Sequence, residues 1–303
     1  MNARMQPRRG TRGMTLVELM ISIVLGLLVT GAAVSMFLSF SRTYTASETL
    51  SRVQENARIG FELMSQDLRE AGGVPCAKAG TNNLLRNVLS NANAVWWTTW
   101  GQGSLGDGLR GYNDGALSGS KSGTDALEIM SGSSAATAHV TNHDTTNRVF
   151  SVIPASHGFA ANDILVVCDN ERSTIFQASA VSGAAITHPA TVSSDYGDNS
   201  VLVRLQAERW YVAANGRGGN SLYRVVMRGS TLGAPEEVLE GVSNMQLTYL
   251  NSGASNYVTS ATANWPSVRA VRVELTLDGR ERVDGQTVNR TVAHTITLRS
   301  RNA

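Results

Sequence analysis

Residues 19–41 are 23 consecutive uncharged residues, most of them apolar. A helix of about 20 such residues spans a hydrocarbon layer about 30 Å thick at roughly 1.5 Å rise per residue. The segment therefore belongs in lipid or against other apolar helices. Its flanks differ from those of an export signal, which carries a small-residue cleavage site beyond the apolar run. Here the small residue, Gly13, comes first, so a cut there leaves the helix on the mature chain, which would start at Met14. The leader, residues 1–13, holds Arg4, Arg8, Arg9 and Arg12 and no acid. Basic flanks stay in the cytoplasm, so the N-terminus is expected inside and everything after Arg42 outside.

The helical pattern continues past Arg42. Leu50, Val53, Ala57, Phe61, Met64, Leu68 and Ala71 step by three or four, which is one face of an amphipathic helix. Glu48, Arg52, Glu55, Arg58, Glu62, Asp67 and Arg69 are expected on the other faces. No proline falls in residues 14–71, and Gly72, Gly73 and Pro75 form a stop signal. One helix of nearly sixty residues, roughly 85 Å long, is expected. Its first half, residues 14–41, is the membrane part, and its second half, residues 42–72, must pack on a domain. Gly26, Gly31 and Gly60 are places where it either bends or packs closely.

Residues 73–303 are long enough for one domain with a core of its own. Loss of the leader takes the chain from 303 residues to 290 and, with four arginines gone, from a formal charge of +2 to −2. No basic patch then points to nucleic acid. With 42% hydrophobic residues and clear strand patterning, disorder of the whole chain is excluded. Short β-branched runs bounded by turn residues lie at 126–130, 149–153, 164–168, 174–181, 201–205, 209–213, 222–227 and 245–250. The clearest strand alternates Val271, Val273, Leu275 and Leu277 with Arg272, Glu274, Thr276 and Asp278, dry against wet. A last one, 287–299, alternates similarly, although Arg290 and His294 interrupt its dry face. A β-meander over the outer half of a long helix is an α+β architecture.

The run Gly13-Met14-Thr15-Leu16-Val17-Glu18-Leu19-Met20-Ile21 resembles the class III leader junction of type IV pilins and type II secretion pseudopilins. The resemblance implies cleavage after Gly13 by a prepilin peptidase, N-methylation of Met14, and a subunit-assembly role for Glu18, the fifth mature residue. Met14 departs from the phenylalanine usual in that family. Glu18 also stands out physically, because a carboxylate inside a membrane segment costs about 3 kcal/mol and tends to be paired. The amino group of Met14 lies about one turn away, and by the resemblance the N-terminus of a neighbouring subunit takes its place. The plainer reading sets Glu18 at headgroup level, where an acid favours the helix dipole.

A second resemblance reaches across most of the chain. Leu222-Tyr223-Arg224, Glu237-Val238-Leu239-Glu240-Gly241-Val242-Ser243-Asn244-Met245-Gln246-Leu247-Thr248-Tyr249, Trp265 with Val268 to Leu277, and Thr297-Leu298-Arg299 are similar to the PilW family of minor pilins, as are Ala71-Gly72-Gly73-Val74-Pro75-Cys76 and Val166-Val167-Cys168-Asp169 with Phe176. It implies a type IV pilin-like fold with an antiparallel β-rich domain, and work in the priming and tip complex of a type IV pilus, with twitching motility and cell adhesion downstream. The implied partners are minor pilins of the FimU, PilV, PilX and PilE types, a PilY-type tip adhesin, the major pilin, the prepilin peptidase and the inner-membrane assembly platform. The implied place is the bacterial inner membrane, single-pass with a periplasmic domain, and later the pilus. A GspJ-like pseudopilin is the alternative, and a membrane-anchored periplasmic enzyme or binding module a further one. An anchor alone needs neither Gly13 before the helix nor Glu18 within it.

Cys76 and Cys168 are the two cysteines. In an oxidising periplasm a disulfide between them is expected, and two buried free thiols are the other reading. Residues 101–123 hold eight glycines after Trp96, Trp97 and Trp100 and read as a long loop. It is either a subunit contact anchored by the tryptophans or a surface excursion over a Trp-lined core edge. Signals of chemistry are thin, and neither enzyme activity nor a cofactor or metal is expected. Ser118-Gly119-Ser120-Lys121 has a Ser/Lys spacing that requires a helix, in glycine-rich surroundings. His139 and His143 lack an acid between them and read as surface histidines. Asp195, Asp198 and Asn199 lack the calcium-loop pattern and read as a turn.

Overall fold

A computed structural model of the chain describes residues 14–76, 84–90, 95–101, 108–283 and 286–301. The leader, residues 1–13, lies outside them. Helix α1 runs unbroken over Leu16–Glu70, about 82 Å at the usual rise. It continues unbroken through Gly26 and Gly31, where an added Cβ would meet nothing, whereas a Cβ on Gly60 would press within 3.1 Å of the Leu239 side chain. Within the chain itself, Gly60 is the one of the three that packs closely. The helix ends because Gly72 adopts φ +68°, and the Gly72 and Gly73 backbones are stitched to Met130 and Gly132 by 2.8 Å bonds.

Sixteen strands follow among the described residues: β1 (Leu84–Asn87), β2 (Leu109–Tyr112), β3 (Ala126–Asp144), β4 (Val149–Ile153), β5 (Ile164–Cys168), β6 (Arg172–Gln177), β7 (Ala180–Ser182), β8 (Ala185–Thr187), β9 (Val201–Ala214), β10 (Asn220–Arg228), β11 (Thr231–Leu232), β12 (Glu236–Glu240), β13 (Val242–Asn251), β14 (Tyr257–Val258), β15 (Val268–Val283) and β16 (Gln286–Thr297). They form two sheets. A large one has the path β1-β6-β5-β9-β3-β4-β8-β7, with β10 to β12 and β2 attached, and a small one has the order β14-β13-β15-β16. All pairings are antiparallel except β1 with β6. The fold is α+β, as expected, but the β part is not a simple meander, because β5 and β3 flank β9 and bring distant segments together.

The outer half of α1 packs where the two sheets meet. Ala57, Phe61, Met64, Leu68 and Ala71 are buried with Leu127, Trp210 and Leu222 of the large sheet and Val271, Val273, Leu275 and Leu277 of the small one. The side chains of Leu50 and Val53 lie outside the described ones. Burial of a Leu-, Met- or Phe-sized side chain contributes about 2 kcal/mol, so this stripe holds the helix firmly. The dry face of β15 is the one read from its alternation. Asp125 straps the sheets together: its N–H donates to Met245 O at 2.8 Å and its carboxylate accepts from Leu247 N at 2.7 Å.

A second core, built from Ala138, Phe150, Leu165, Phe176, Ile186, Tyr196 and Leu202, fills a distal lobe away from the helix. The glycine-rich segment differs from the expected uninterrupted loop. Residues 102–107 lie outside the described ones, but β2 pairs with β3 in register Leu109 to Ile129. Gly111 is required there, since a Cβ would come within 1.9 Å of the Tyr249 hydroxyl.

Candidate functional site

At the start of α1, Thr15 is extended and its Oγ1 accepts from the Glu18 N–H at 3.3 Å, which caps the helix and fixes the first turn. Glu18 sits in that turn, where a negative charge also favours the dipole. From Met14 to Tyr44 every side chain is exposed. The stretch is long and apolar enough to cross a membrane, and none of its most apolar window is covered by the rest of the chain. The hydroxyls of Ser22, Thr30, Ser35 and Thr43 donate back to the carbonyls of Glu18, Gly26, Gly31 and Ser39 at 2.7 to 3.0 Å. They are thus satisfied inside the helix, as a surface facing lipid or other helices demands. Glu18 is left as the one charge on an otherwise apolar rod. Gly13 lies outside the described residues.

At the other end of α1, Asp67 is not on a solvated face, which corrects the expectation from its charge. It is 7% exposed. Trp210 Nε1 donates to it at 2.9 Å and Arg224 at 3.0 Å, while Arg224 also holds Glu208. Burial, then Glu208 beside it, pushes the Asp67 carboxyl up, against the opposing pull of Arg224. Asp67 stands one turn from the buried Met64 and Ala71, which puts it on the inward face. The cluster ties the helix to β9 and β10 with a defined rotation.

Cys76 and Cys168 form a disulfide across a sequence separation of 92. It joins the segment leaving α1 to the end of β5, in the middle of the large sheet.

The tryptophans and the residues weighed for chemistry make contacts within the domain. Trp100 is buried, and Trp96 and Trp97 pack edge-on at 5.7 Å in a core edge, with the Arg209 guanidinium 4.7 Å from the Trp96 ring. Arg209 itself binds the buried Glu128, which also accepts from the Tyr112 hydroxyl. Lys121 donates to the Ser243 carbonyl at 2.6 Å and Ser120 to Leu117 O at 2.7 Å, in a turn rather than a helix. Asp198 and Asn199 lie in a turn. No metal-ligating group of three or more acids, histidines or cysteines occurs among the described residues.

His139 is exposed, but His143 is not, which corrects its reading as a surface residue. Its side chain is fully buried, stacked on Phe150 with centroids 4.2 Å apart. Its Nδ1 accepts from Tyr196 N at 3.1 Å, its Nε2 lies 2.9 Å from Nε2 of His188, and Nδ1 of His188 lies 2.9 Å from Pro189 O. One assignment satisfies this chain: both rings neutral, His143 donating from Nε2 and His188 from Nδ1. Burial lowers both imidazoles below the ordinary 6.5, against the opposing pull of Asp195 and Asp144 on His143, and with Arg148 adding to the effect on His188. The unfolded chain therefore takes up protons first as pH falls through 6.5, and the distal lobe loses stability below that value. The slope is at most about 1.4 kcal/mol per pH unit per ring. Urea denaturation of the full chain in detergent at pH 7 and pH 5 is expected to show this loss, and His188→Asn is expected to reduce it; equal pH dependence of the variant would contradict the assignment.

Two matches to known families fit this geometry. Residues 209–301 match the family described as type IV pilus-assembly protein W, and residues 8–34 match the prokaryotic N-terminal methylation motif. The first covers only the end of β9, from residue 209, and all of β10 to β16, which include much of the surface α1 packs on; the second covers the helix start with Gly13, Met14 and Glu18. No curated protein matches the chain. The two matches support a PilW-type type IV pilin, a minor pilin acting in type IV pilus assembly.

Proposed function

We propose that this PilW-type pilin works in the complex that primes pilus polymerisation and sits at the fibre tip. The observation that carries the reading is the bare apolar half of α1, capped by Thr15 and bearing Glu18, on a domain that grips only the outer half. Such a rod is stable in a bilayer and equally in a bundle of similar helices, so it can pass from one to the other. The leader is removed after Gly13 by a prepilin peptidase and Met14 is N-methylated. The domain lies on the periplasmic side before assembly, as the leader arginines favour. Other pilus components are its partners, by family; among them we place minor pilins of the FimU, PilV, PilX and PilE types, a PilY-type adhesin, the major pilin and the assembly platform. The role is structural, without catalysis, and the match to a pilus-assembly family rather than a secretion one favours the pilus over a GspJ-like role.

Deletion of the chain is expected to reduce surface pili severely, and the processed chain is expected in sheared fibres at a small fraction of the major subunit, by quantitative mass spectrometry. Undiminished piliation together with absence from sheared fibres would contradict the role.

A further inference from the structure

The outer edge of β16 is open. β16 ends the order β14-β13-β15-β16 and pairs only with β15 among the described residues. Open edges are normally blunted by lysine, proline, a bulge or a covering element. Here the register is regular from Ala270–Thr297 to Asp278–Asn289, and residues 289–297 contain neither lysine nor proline. Alongside this edge runs one stripe of α1, Gln54, Arg58, Glu62, Ser65 and Arg69. With Arg290, Val292 and His294 of β16 it lines a groove of about 480 Å³. Its floor is the Phe61 ring, 5.7 Å from that of His294.

The charge of the groove opposes that of the mature chain. Three arginines face one acid, Glu62, whereas the chain without its leader carries −2. Arg58, Arg69 and Arg290 have no ion pair among the described residues. Arg290 and His294 are the two residues that break the dry face of β16, and here they line the groove instead of a core. Arg58 lies 17 residues past Ser41, about 25 Å along the helix, well beyond lipid headgroups.

We propose that this groove seats an extended acidic segment of another pilus subunit. The segment pairs its backbone with the free edge of β16 and sets alternate carboxylates against Arg58, Arg69 and Arg290. Backbone pairing supplies the affinity and the charged pockets the selectivity, the usual division in strand addition. The inference rests on the pilin reading only for the source of the segment.

The test uses the full chain in detergent and the peptide acetyl-(Thr-Glu)4-amide. Binding is expected to slow hydrogen exchange in residues 286–297. Arg58→Glu with Arg290→Glu, both at exposed positions, is expected to weaken binding about tenfold or more. The Thr-Lys counterpart and a Thr-Glu peptide N-methylated at alternate residues are expected to bind far more weakly. No protection by the Thr-Glu peptide, equal binding to the double variant, or equal binding of the N-methylated peptide would each overturn the proposal. None of these outcomes bears on whether the chain enters pili, which sheared fibres report separately.

Discussion

Glu18→Val is expected to yield a chain that is processed, inserted and folded, yet missing from pili. Removing a carboxylate from an apolar helix makes membrane insertion easier by about 3 kcal/mol, so poor insertion cannot be the cause. The domain is untouched, because residues 14–44 contact none of it. What is lost is the one charged side chain on the rod. If Glu18 meets a protonated N-terminus of a neighbouring subunit away from water, truncating one partner costs about 2 to 5 kcal/mol, roughly a 30-fold or greater fall in incorporation. Quantifying the variant in sheared fibres against its level in membranes measures this. Incorporation at the level of the unaltered chain would leave Glu18 with only its helix-start role.

The second large effect concerns the Cys76–Cys168 bridge. Closing a loop with a sequence separation of 92 constrains the unfolded chain by about 4 to 5 kcal/mol on the entropic account, an upper figure. For a domain of this size each kcal/mol moves the melting temperature by about 2 to 4 °C. The Cys76→Ser, Cys168→Ser variant is therefore expected to melt about 8 to 20 °C lower. The loss is expected to centre on the helix exit and the middle of the large sheet, since the bridge joins those two places. A shift under about 2 °C would mean that the backbone stitches from Gly72 and Gly73 to Met130 and Gly132 already hold this corner.

The helix was legible because its signals are local: a 3.6-residue period, no proline, and glycines at its end. The same holds for the dry face of β15, where alternation alone separates Val271, Val273, Leu275 and Leu277 from their neighbours. Arg290 and His294 also carried a readable signal, since charge on a dry face marks where a core stops. Buried charge was not legible. Asp67 looks solvated until Trp210 and Arg224, 143 and 157 residues away, are seen beside it. His143 likewise depends on His188, 45 residues on. Two expected strands, 201–205 and 209–213, are one strand, β9. Gln206 and Glu208 interrupt the apolar pattern between them, but Glu208 is buried on Arg224 and the ladder continues. β2 was hidden because its Gly111 reads as loop, while the close approach of Tyr249 makes it a strand position. Strand order depends on pairings between distant segments, which no local pattern records.

The mass of the chain's N-terminal peptide, taken from cells with an active prepilin peptidase, tests the account most directly. The account predicts a mature chain of 290 residues that begins with N-methylated Met14, having lost the 13-residue leader with its four arginines. A chain that still carries Arg4, Arg8, Arg9 and Arg12 in the presence of that peptidase would contradict it, because a rod pinned at its inner end by those charges cannot leave the membrane for a fibre.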